Sequence, residues 1–82
     1  MKLYLAWWTY SDPSESDQGL LGVFTDKELA IQACLAFVER SDVDQWEGAV
    51  LTELESDKKY DYINAYTQDA LEFLPKFSEE QL

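Results

Sequence analysis

The chain has 82 residues, with 17 acidic against 6 basic side chains, a net charge of −11 and no histidine. That length makes one small domain, and 46% apolar with 15% aromatic residues is enough for a core, which excludes a disordered body. The acid excess excludes direct binding to nucleic acid, because phosphate contacts need lysine and arginine.

The charge is uneven: residues 1–38 carry 5 acids and 2 bases, residues 39–82 carry 12 and 4. Such a balance suits a protein partner with a basic surface, and its plain alternative is a charge that keeps a small protein soluble. The single cysteine, Cys34, has no internal partner for a disulfide, so a reduced, cytoplasmic setting is expected. No apolar run approaches the roughly 20 residues of a membrane span, and no membrane role is expected.

From the N-terminus, Lys2 to Tyr10 reads as a strand rich in aromatics, with Leu3, Leu5 and Trp7 on one face and Tyr4, Ala6, Trp8 and Tyr10 on the other. Both faces are apolar, which places it centrally in its sheet. Ser11 to Gly19 is polar and reads as an acidic hairpin loop, with Leu20 to Phe24 returning antiparallel. Thr25 and Glu28 have the spacing of a capping box, and a helix is expected from about Asp26 to Arg40. Ala30, Ala33, Cys34 and Phe37 share the face meant for the sheet, while Ile31, Leu35 and Val38 make a second stripe that needs its own cover, from the C-terminus or from a second copy in a homodimer.

Gly48 to Glu55 is the next strand. A connection through the helix puts it parallel to the second strand and beside the first, giving the order 2-1-3. With the helix on one face, Tyr4, Trp8 and Tyr10 are expected on the opposite, open face. Ser56 to Lys59 reads as a turn, and Tyr60 to Tyr66 as a fourth strand or, by the helical spacing of Ile63, Tyr66, Ala70 and Phe73, as helix; the strand reading leaves Gln68 to Leu74 as a short helix capped by Thr67 and ended by Pro75. The fold class is therefore α+β, ββαβ(β)α, with a three- or four-stranded antiparallel sheet. Residues 1–75 form one domain and 76–82 a frayed tail.

Three stretches carry a family resemblance: Met1-Lys2-Leu3-Tyr4-Leu5-Ala6-Trp7, the run from Leu21 through Gly22-Val23-Phe24-Thr25-Asp26 to Ala30, and Glu53-Leu54-Glu55. Over residues 1–58 the chain resembles short uncharacterised ββαβ proteins of bacteria and phages. The resemblance implies the fold and no activity. The chain departs from it at Ile31, Leu35 and Val38, where charged residues are expected, and in the extension after Lys59.

Catalytic chemistry has little to work with. Histidine is absent, Cys34 falls on the buried helix face where a thiol is inert packing, and three scattered glycines make no phosphate loop. Asp42, Asp44 and Glu53 match positions 1, 3 and 12 of a calcium-binding EF-hand loop. Trp46 stands at the fifth position, however, and the glycine comes one place late, at Gly48. No enzyme activity, cofactor or metal is expected.

The sharper lead is the acidic set Asp42, Asp44, Glu47, Glu53, Glu55, Asp57 and Asp61. Glu53 and Glu55 lie on one strand face about 6.6 Å apart, about two steps of the 3.4 Å charge spacing along one DNA strand. The expectation is a binding module that occupies the basic groove of a nucleic-acid-binding protein, in concrete form a phage-type inhibitor acting as a DNA mimic. The alternative is a homo-oligomer that holds a small ligand on the aromatic face of Tyr4, Trp8 and Tyr10.

Overall fold

In a computed structural model that describes residues 1–75, the chain forms β1 (Lys2–Ser11), β2 (Ser16–Phe24), α1 (Lys27–Val38), β3 (Glu47–Glu55) and β4 (Leu71–Phe73). The expected tail, residues 76–82, lies outside the described residues. The four strands make one antiparallel sheet in the order β2-β1-β3-β4, so β1 is central and β2 and β3 flank it, as its apolar faces require. No helix of the described residues is long and apolar enough to cross a membrane.

The hairpin loop is shorter than the polar run suggests. Only Asp12 to Glu15 turn, because the Asp12 carboxylate accepts from the backbone N–H groups of Ser14 (2.7 Å) and Glu15 (2.8 Å) and closes the bend locally. Ser16, Asp17, Gln18 and Gly19 then pair with Ser11, Tyr10, Thr9 and Trp8. An edge strand tolerates such polar residues, since its outer side faces water. The helix starts one residue later than the expected capping box. Asp26, in extended conformation, is the N-cap and accepts from the Glu28 N–H at 2.9 Å, so Thr25 stands outside the helix.

The helix lies on the face of β1 that carries Tyr4, Ala6 and Trp8, which corrects the expectation that this face is open. Small residues decide it. Ala6 pairs between Gly22 and Leu51, and Trp8 between Gly19 and Ala49, so the middle of this face is low enough to seat a helix backbone. Ala30, Cys34, Phe37 and Val38 close onto Ala6, Ala49 and Leu51, with Tyr4, Trp8, Phe24, Ile31, Leu35, Val43 and Phe73 at the margins. The outer stripe is thus tucked into the rim of the same core: Val38 is buried and Ile31 and Leu35 are half-buried.

The second face carries Leu3, Leu5, Trp7 and Thr9 beside Val50, Thr52 and Leu54. It is crossed by residues 56–70, a strap of turns with no regular element. This replaces both the expected strand Tyr60–Tyr66 and the expected helix Gln68–Leu74; the fourth strand is instead Leu71–Phe73. The strap starts at Asp57, whose φ of 59° is a left-handed conformation that aspartate accepts more readily than most residues. The Tyr60 hydroxyl then accepts from the Glu55 N–H (2.8 Å), and the Ala65 N–H donates to the Gln18 side chain on β2 (2.6 Å). Beneath the strap Leu5, Val50 and Thr52 are buried, and Thr52 accepts a 2.9 Å bond from the Trp7 indole N–H.

Candidate binding site at the loop end of the sheet

The helix has 12 residues, about 18 Å of length, while β1 has 10, about 33 Å. α1 begins at the end of the sheet where Phe24 pairs with Tyr4 and runs back toward the other end. It stops short of the final row, in which Asp17, Tyr10 and Glu47 stand side by side on β2, β1 and β3. Asp17 and Glu47 are thus separated by two strand spacings, about 10 Å, with the Tyr10 ring between them. Glu15 and Ser16 from the hairpin and Trp8 from the next row complete an open groove of about 400 Å³.

Trp8 reaches this position because Gly19 has no side chain. A Cβ built at Gly19 falls 2.7 Å from the indole Cζ2 and closer still to Nε1 and Cε2, so the ring lies against the bare strand. The Tyr10 hydroxyl is held by a short hydrogen bond to the Asp12 carboxylate. That bond, with some burial and the charges of Asp12, Glu15 and Asp44, pushes the phenol up to about 12. The Tyr10 and Ser14 hydroxyls and the Ser14 and Glu15 N–H groups hold Asp12 well below the ordinary carboxylate range. Asp12 is therefore committed to the turn, which leaves Glu15, Asp17 and Glu47 as the carboxylates that face the groove.

The seven acids singled out in the sequence do not form one track. Asp42, Asp44 and Glu47 stand at the loop end, whereas Glu53, Glu55 and Asp57 stand about 20 Å or more away at the far end of β3. Several are already engaged. Arg40 grips Asp42 through two bonds of 3.0 and 2.6 Å, which lowers the Asp42 carboxyl, and Asp44 accepts from the Trp46 N–H at 2.8 Å. Glu53 pairs with Lys2 at 3.8 Å and Glu55 with the Met1 amino group at 3.6 Å. Asp57 serves the turn, and Asp61 is exposed on the strap. Glu47 alone of the set lines the groove. Glu15 and Asp17 fall outside the predicted set because the polar run Ser11–Gly19 reads as loop, although Asp17 keeps the two-residue period with Gly19 that marks one strand face.

Of the aromatic set, Tyr4 packs at the rim of the helix core, and Trp8 and Tyr10 are half-buried at the groove. A second hollow, about 190 Å³, lies on the strap side between Thr9, Gly48 and Tyr66. Cys34 is fully buried with its thiol 3.7 Å from the Val50 carbonyl, and burial pushes it up to about 11, so it stays a thiol at neutral pH. Among the described residues no group of three potential ligands converges on a metal position. No protein-family model, curated protein or solved structure matches the chain.

Proposed function

We propose that the chain is a non-enzymatic acidic binding module that engages the basic surface of a partner protein through the loop end of its sheet. The observation that carries this reading is the groove in which Glu15, Asp17 and Glu47 flank Trp8 and Tyr10. Carboxylates around half-buried aromatic rings favour a cationic side chain twice over, through charge pairing and through the negative faces of the rings. A lysine or arginine of the partner enters between Asp17 and Glu47 and lies on Tyr10. The acids at the far end, already paired with Lys2 and Met1, supply long-range attraction and little direct contact. In its concrete form the partner is a nucleic-acid-binding protein, and the module blocks its basic groove.

An arginine-rich peptide tests the reading, with tryptophan fluorescence as the signal and a glutamate-rich peptide as control. The arginine peptide is expected to bind and to weaken steeply as salt rises, because exposed charges are screened over about 10 Å at 0.1 M. Lysine at Glu15, Asp17 and Glu47 is expected to abolish binding, whereas lysine at Glu53, Glu55 and Asp57 weakens it only modestly. Binding that ignores salt, or that is lost only with the far-end changes, would overturn the proposal.

A further inference from the structure

The two edges of the sheet are built differently. At one edge β4 has three residues with Glu72 in the middle, and Pro75 follows it closely. Short length, charge and proline are the devices that keep an edge from pairing with another chain. At the other edge β2 has nine residues, and its outer backbone groups meet no partner strand among the described residues. It contains neither lysine nor proline, and the run from Gln18 to Thr25 has no charge in a chain that is 28% charged.

Beyond Ser16 and Asp17 at its start, the exposed side chains of this edge are apolar. Leu20 is 51% and Val23 53% exposed, and they pair with Trp7 and Leu5 on the strap side of the sheet. Between them Leu21, 38% exposed, is the extra residue of a bulge, since Gly22 pairs with Ala6 and Leu20 with Trp7. An aliphatic trio on an open edge is out of keeping with a surface dominated by carboxylates.

We propose that the β2 edge is a self-association surface, on which a second copy of the chain pairs antiparallel across a two-fold axis near Leu20 and Leu21. An antiparallel strand is its own complement, because a two-fold axis presents each outward N–H to a carbonyl of the partner and the reverse. About such an axis Asp17 faces Phe24, so the two Asp17 carboxylates stand roughly 20 Å apart at strand rise. Leu20, Leu21 and Val23 of both copies then meet at the centre. Charge selects the occupant: two chains of net −11 can approach closely only where neither carries charge, and Gln18–Thr25 is such a strip on an exposed edge. A basic partner gains nothing there. This proposal stands independently of the function proposed above.

The test is the oligomeric state of the full chain, followed by sedimentation over a concentration series at low and high salt. A monomer–dimer equilibrium is expected that tightens as salt rises, since screening relieves like-charge repulsion; binding to a basic partner has the opposite salt dependence. Leu20→Lys and Val23→Lys, each at a half-exposed position, are expected to weaken the dimer by roughly tenfold or more while leaving the circular dichroism spectrum unchanged. Amide exchange in β2 of the unsubstituted chain gives a readout that no variant can confound, and its protection is expected to rise with protein concentration. A monomer at every concentration and salt, a dimer indifferent to both lysines, or concentration-independent β2 protection would each overturn the proposal.

Discussion

The backbone N–H of Ala65 donates a 2.6 Å hydrogen bond to the side-chain oxygen of Gln18, tying the middle of the strap to the edge strand 47 residues earlier. Ala65 is fully buried, so its N–H has no water to turn to if this acceptor is removed. Gln18→Leu is expected to destabilise the fold by about 1–3 kcal/mol. Gln18→Glu keeps an acceptor in place and is expected to retain most of the stability. Urea denaturation of the two variants checks this, and equal losses in both would show that the bond does not hold the strap.

The contact between Trp8 and Gly19 makes a second prediction. Gly19→Ala forces the indole off the strand and toward the groove, with a loss of about 1–3 kcal/mol from overpacking and a shifted tryptophan emission. In a Trp8→Leu background the same substitution is expected to lose much less, because the clashing ring is gone. A double-mutant cycle with no coupling between the two positions would contradict the packing.

The helix face is tested by position. Ala30 is fully buried against the sheet, and Ala30→Asp places a charge there without a partner, so the chain is expected to unfold. Ala36 is exposed on the same helix, and Ala36→Asp is expected to stay within about 0.5 kcal/mol of the parent. Thermal melts of the pair decide it.

At high pH two groups act in the same direction. Tyr10 titrates near 12 instead of 10.0, and Cys34 near 11 instead of 9.0, so folding favours the protonated form of each. Their contribution is fully present below the unfolded values and is lost as pH rises through the folded ones. The melting temperature is expected to fall between about pH 9 and 12. Cys34→Ala should flatten the lower part of that fall and Tyr10→Phe the upper part. In an ultraviolet titration Tyr10→Phe is expected to remove a late ionisation step.

What the sequence made legible follows the physics of each segment. β1 and the helix announce themselves because each is a long apolar run bounded by polar turn and cap residues, and the central place of β1 follows from its two apolar faces. The face chosen by the helix was not legible from that pattern, which is symmetric. The deciding signal was Ala6, Gly22 and Ala49, small residues from three different strands that only the pairing brings together. The strap from Ser56 to Ala70 repeats no period, since its burial is set by what it crosses. Glu47 was identified in the site by its charge. Glu15 and Asp17 were lost with the hairpin boundary, whose position depends on the hydrogen bonds of one residue, Asp12.

The burial of Cys34 gives this molecule an internal clock. It is the one cysteine in the chain, and its sulfur is sealed between the helix and the Val50 carbonyl. An alkylating reagent in solution can reach it only when the helix lifts from the sheet, so the rate of labelling counts those excursions directly. A ligand that clasps the groove or a copy that joins β2 lengthens the interval between them. The same thiol that has no chemistry to perform in the folded state therefore times each departure from it.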